Sequence, residues 1–75
     1  MRAWLKDLRE SKGLTQQNVA DYLGITKQYY QMVESGSRAK DLTTSIVMSL
    51  AALFEISAIE IMRREQAYQK TQQTE

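Results

Sequence analysis

Apolar residues recur along this chain at helical stride. Leu5 and Leu8 lie three apart, Val19, Ala20 and Leu23 keep the same spacing, and Val47, Leu50, Ala51 and Phe54 fall at i, i+3, i+4 and i+7. No comparable stretch alternates with a period of two. The beginnings of the strides share a device. A hydroxyl residue able to cap the first backbone N–H groups is preceded by an apolar residue and followed four positions on by another, the pattern of a hydrophobic staple. Leu14-Thr15 pairs with Val19, Ile25-Thr26 with Tyr30, Leu42-Thr43 with Val47, and Ile56-Ser57 with Ile61. Glu60, three residues after Ser57, adds the reciprocal partner of a capping box. Gly13, Gly24 and Gly36 stand where helix ends favour a left-handed residue.

These signals predict helices at about 2–12, 15–23, 26–35, 43–54 and 57–66. The expected fold is all-α, one compact five-helix domain over residues 1–66, with 67–75 as a polar, disordered tail that has nothing to bury.

The stretch DYLGITKQYYQ explains itself on this reading. Gly24 ends one helix, Ile25 anchors the corner, and Thr26 caps the next helix, so two short helices meet across a tight turn as a helix-turn-helix. At 100° per residue, Tyr30, Val33 and Glu34 share the side that the staple turns inward. Gln28 lies opposite, with Lys27 and Gln31 on one shoulder and Tyr29 and Met32 on the other. The outward surface is amide-rich and flexible, suited to reaching into a groove.

Composition narrows the chemistry. A chain of 75 residues makes one small domain with little slack in its core. Without cysteine it has no disulfide or thiolate metal site, and without histidine it lacks the usual imidazole ligand and general base. No metal or cofactor site is expected, and no enzyme, since a nucleophile, a base and an orienting group cannot be assembled from this inventory. No apolar run approaches the roughly 18 residues of a membrane span, and the charged start MRAWLK does not read as a secretory signal. A cytoplasmic location is expected.

The net charge of +1 is unevenly placed. Residues 1–40 hold seven basic side chains (Arg2, Lys6, Arg9, Lys12, Lys27, Arg38, Lys40) against four acidic ones, whereas residues 41–75 hold three against five. The first half is the anion-facing half.

The segment TQQNVADYLGITKQYYQMVESG, with LKDLRESKGL before it and LAALFEISAIEI after it, resembles the DNA-binding domain of the phage-repressor (Cro/cI, XRE) family over residues 5–62. The motifs that carry the likeness are Thr15-Gln16, Val19-Ala20 with Leu23-Gly24, and Glu34-x-Gly36. The resemblance implies a lambda-repressor-like fold, a third helix that enters the major groove, and a role in transcription, more often repression. Residue by residue it assigns Gln16, Ser37, Arg38 and Lys40 to DNA phosphates. It assigns Lys27, Gln28 and Gln31 to base edges, with Tyr29 and Met32 at the margins of that set; Lys27 suits guanine or a phosphate equally well. Arg9 and Glu34 match an internal salt bridge.

Two departures stand out: Leu42 where many relatives have proline, and Glu55 where they have glycine after the fourth helix. A non-glycine residue in a left-handed cap costs on the order of 1 kcal/mol, so a differently shaped end to that helix is expected. One such domain reads only about half a turn of DNA, and a homodimer on two half-sites is the usual remedy. Ala58, Ile59 and Met62 are the apolar residues left for a partner, or equally for the domain's own core. The partner expected is a double-stranded DNA operator, with no membrane and no small ligand. The alternative is a protein-interaction module, such as an antitoxin or a regulator's partner, built on the same fold.

Overall fold

A computed structural model describes residues 1–36 and 42–73, with side chains described as far as residue 70. Five helices follow one another: α1 (Ala3–Ser11), α2 (Gln16–Leu23), α3 (Lys27–Ser35), α4 (Thr44–Phe54) and α5 (Ala58–Gln73). There is no strand among the described residues.

The hydroxyl caps act where the sequence places them. Thr15, Thr26 and Thr43 accept from the backbone N–H of Asn18, Tyr29 and Ile46. Ser57 Oγ accepts from Glu60 N at 3.1 Å, and the Glu60 carboxylate accepts from Arg64 Nε one turn on. At α2 the cap is reciprocal, because the Asn18 side chain also accepts from Thr15 N at 3.0 Å. Asparagine is not the glutamate or glutamine that usually marks this box, so the sequence pattern passes over it.

The staples then build the core. Val19, Tyr30, Val47 and Ile61, the inner residues of the four staples, are buried together with Leu5, Ala20, Val33, Leu50 and Phe54. Their outer partners Leu14, Ile25, Leu42 and Ile56 pack against that cluster from the corners. α2 rests on α3 and α4, α4 on α5, and α1 on α3. With its inner face anchored by Tyr30, Val33 and Glu34, α3 has its opposite side exposed.

Two expectations are corrected. The chain from residue 67 is not a disordered tail as far as it is described, because α5 continues to Gln73. Its last turns contain good helix formers, no glycine or proline follows Gly36, and Glu65 and Tyr68 give the helix something to dock on. The end of α4 is not reshaped either: Glu55 adopts the left-handed cap itself, with φ 58° and ψ 40°. Its side chain reaches Lys12 only through an exposed 3.4 Å contact, which adds little. Glu55→Gly is therefore expected to stabilise the domain by about 0.5–1 kcal/mol, raising Tm in a thermal melt by a few degrees. An unchanged Tm would mean that the strain is absent.

Candidate nucleic-acid interface

The exposed face of α3 is set by what the helix hides. Glu34 is a carboxylate only 3% exposed, and it is fully occupied. Oε2 accepts from Arg9 Nε at 2.9 Å and from the buried Tyr30 hydroxyl at 2.7 Å. Oε1 accepts from Arg9 Nη2 and from Gln16 Nε2, each at 3.2 Å. Arg9 also donates to Leu14 O, tying the α1–α2 corner to α3.

Burial alone would push the Glu34 pKa up. The hydrogen bonds from Arg9, Tyr30 and Gln16 outweigh it and hold the carboxyl below its usual range. The Tyr30 hydroxyl is pushed far up by burial and by its bond to Glu34, so it remains a donor. Arg9, hydrogen-bonded to Glu34, is raised as well.

On the other side of α3, Lys27, Gln28, Tyr29 and Gln31 are exposed. Met32 is half-buried, so it contributes an edge rather than a face. Gln31 is tied across to the preceding helix: its Nε2 donates to Gln16 Oε1 at 3.1 Å. Gln16, assigned from the resemblance to a phosphate, is thus engaged on both atoms of its amide, through nitrogen to Glu34 and through oxygen to Gln31. What remains for an anion there is the second N–H of that amide and the backbone N–H groups opening α2.

An open hollow of about 390 Å³ lies at that helix start, with Gln16, Gln17, Arg9 and Lys27 in its wall. The structure thereby joins Lys27 to the α2 N-terminus, a site that favours phosphate. Ser37, Arg38 and Lys40 lie outside the described residues.

The sequence matches a known family. A profile described as helix-turn-helix covers residues 5–61, most of the chain. The chain belongs to the XRE-type helix-turn-helix family. Over 61 residues it is 41% identical to YqaE of Bacillus subtilis (strain 168), an uncharacterized HTH-type transcriptional regulator, covering 81% of this chain and 51% of that protein. Over 45 residues, 60% of this chain, it is 49% identical to 42% of YonR, a regulator of the same description derived from the SPbeta prophage of that strain. It is also 44% identical to YqaF over 45 residues, 60% of this chain and 59% of that HTH-type regulator. The chain spans about half the length of the curated relatives it matches. In this XRE-type chain, as in the sequence reading, the turn sits at Gly24, which has the left-handed φ of 72° that closes α2 and admits Ile25 to the corner.

One functional-looking residue escaped the sequence reading. Arg2 is completely buried. Its Nε and Nη2 each meet the Glu65 carboxylate at 2.8 Å, its Nη1 donates to Val33 O at 2.6 Å, and its guanidinium lies 4.9 Å from the centre of the Tyr68 ring. Its backbone N–H donates to Glu34 O at 2.7 Å. The end of α3 is therefore clamped to α5. Gly36 takes part as well: its φ is 78°, and a Cβ there would collide with the Tyr68 hydroxyl. No local pattern announces this joint.

Away from α3, a second hollow of about 500 Å³ runs between α4 and α5. Ala58 packs onto the core, whereas Ile59 and Met62 are 64% and 57% exposed on the rim, joined by Met48 at 60%. No single helix among the described residues is long and apolar enough to cross a membrane, and those residues contain no cluster of three or more acidic side chains placed to hold a metal.

Proposed function

We propose that this chain binds double-stranded DNA sequence-specifically and regulates transcription as a repressor, with α3 in the major groove. The observation that carries this reading is the two-sided build of α3. Tyr30, Val33 and Glu34 are sealed against the domain, while Lys27, Gln28, Tyr29 and Gln31 project from it. Names of the relatives as HTH-type transcriptional regulators support it.

Gln28 is the chief base reader, since its amide suits the N6 and N7 atoms of adenine. Tyr29 and the edge of Met32 flank it. Lys27 and the start of α2 at Gln16 hold phosphates, as do Ser37, Arg38 and Lys40 after α3. A homodimer joins two such domains through the α4–α5 face, where Ile59, Met62 and Met48 are exposed and Ala58 forms the floor, so that two α3 helices meet successive turns about 34 Å apart. The regulator works in the cytoplasm without a cofactor.

A gel-shift series against genomic fragments tests the site. Gln28→Ala should blur the preference among fragments, losing about 1–3 kcal/mol of discrimination. Arg38→Ala should weaken every fragment alike and reduce the salt slope by about one. If neither substitution alters binding, this placement of the site is wrong. Capture of a tight protein partner with no DNA retained at all would favour the interaction module instead.

A further inference from the structure

The hydrogen bonds behind α3 impose a direction on Gln31. Glu34, paired through both oxygens with Arg9, is an ionised carboxylate and can only accept. The Gln16 amide must therefore turn its NH₂ toward Glu34, which leaves its oxygen facing Gln31. Gln31 must in turn give its own NH₂ to that oxygen, and its carbonyl oxygen is left pointing the other way. The orientation of a side-chain amide is ordinarily settled only by its neighbours. Here the neighbours form a chain that begins at an acceptor-only group and ends on an exposed residue of the recognition helix.

We infer that the Glu34–Gln16–Gln31 relay makes Gln31 a specificity residue that presents an acceptor outward, so that it selects a base carrying a major-groove amino group. The inference rests on the DNA-reading role proposed above for α3. Adenine N6 and cytosine N4 are the amino groups in that groove. Adenine is favoured, because the second hydrogen of the Gln31 NH₂ is available for adenine N7 while the first stays with Gln16. Guanine and thymine present only acceptors there: the second N–H of Gln31 can still reach one of them, but the Gln31 oxygen then meets no donor, so both bases are disfavoured by the hydrogen bond that adenine would add. Turning the amide around to suit them would point the Gln31 carbonyl at the Gln16 carbonyl. Gln16 is thus a positioning residue for Gln31, in addition to whatever it contributes at a phosphate.

The test is selection of a fully randomised duplex pool on the full chain, comparing wild type, Gln31→Ala and Gln16→Met. Methionine keeps the length of the side chain and removes both ends of the relay. Wild type should yield a motif in which one base pair depends on Gln31, and Gln31→Ala should flatten that pair alone. The selected base should be adenine, or cytosine next. Gln16→Met should let guanine and thymine in at the same pair, cutting the preference by about tenfold, while the rest of the motif keeps its bases. A retained motif elsewhere shows that the variant is folded, and a merely structural role for Gln16 would weaken all positions together.

The inference is overturned if the Gln31-dependent pair selects guanine or thymine, if Gln31→Ala alters no position, or if Gln16→Met leaves the pair as sharp as in wild type. A wild-type chain that selects no motif overturns the functional reading and the relay with it. A motif without the relay's signature overturns the relay alone.

Discussion

Replacing Glu34 with alanine will cost the domain about 3–5 kcal/mol, because it leaves the Arg9 guanidinium, only 11% exposed, without its counter-charge. For a domain of this size the whole stability is roughly 4–11 kcal/mol. Thermal melts followed by the fluorescence of Trp4, the sole tryptophan, should drop by roughly 15 °C or more. Removing Arg9 and Glu34 together will not repair the damage fully. The buried Tyr30 hydroxyl also donates to Glu34 and would be stranded. The triple replacement Arg9→Met, Tyr30→Phe, Glu34→Leu should recover more stability than the double one.

The pH dependence follows from the same carboxyl. Its folded pKa is depressed, so its contribution is complete above the unfolded value of about 4.3 and is lost as pH falls through the lower folded value. Glu34→Gln should flatten the acid limb of the stability profile in that window. If the limb of Glu34→Gln matches wild type, the pairing is not what stabilises α3.

Arg2→Ala will loosen the far end of α5. The substitution removes the counter-charge of Glu65, whose side chain is 13% exposed, takes the donor from Val33 O and bares the Tyr68 ring. The expected loss is about 2–3 kcal/mol, with far-UV dichroism showing helix lost from the last turns of α5. Arg2→Lys should rescue little, because an ammonium cannot make the paired contact to Glu65 while bonding Val33 O and covering the ring. Amide exchange that stays slow around residues 65–70 in Arg2→Ala would disprove the clamp.

The legible parts of this molecule are those whose partners lie close along the chain. Each staple joins residues five apart, as in Leu14 with Val19 and Ile25 with Tyr30, and each inner member is buried. The turn at Gly24 was legible for the same reason. The Arg9–Glu34 pair entered only through the family resemblance, since nothing in the spacing of a cation and an anion 25 residues apart says that they meet. Arg2 was illegible. An arginine near a chain start ordinarily reads as solvated charge, and the partners that bury it come from α3 and α5. The same joint explains why α5 runs past residue 66: few apolar residues lie there, and the anchorage comes from Arg2 through Glu65 and Tyr68. At Glu55 propensity was overruled: the packing of α4 against α5 holds a left-handed turn that the residue itself resists. The link between Gln16 and Gln31 was invisible because each amide has a sufficient surface role alone.

The Arg2 joint also bears on how fast the chain finds and leaves its shape. Corners closed by neighbours form early, because little loop entropy stands against them. A contact between residues 63 positions apart closes late. Lesions at Arg2 or Glu65 should therefore hasten unfolding while leaving the refolding arm of a chevron almost untouched. In this small domain, lifetime and speed of formation are set by separate groups of residues.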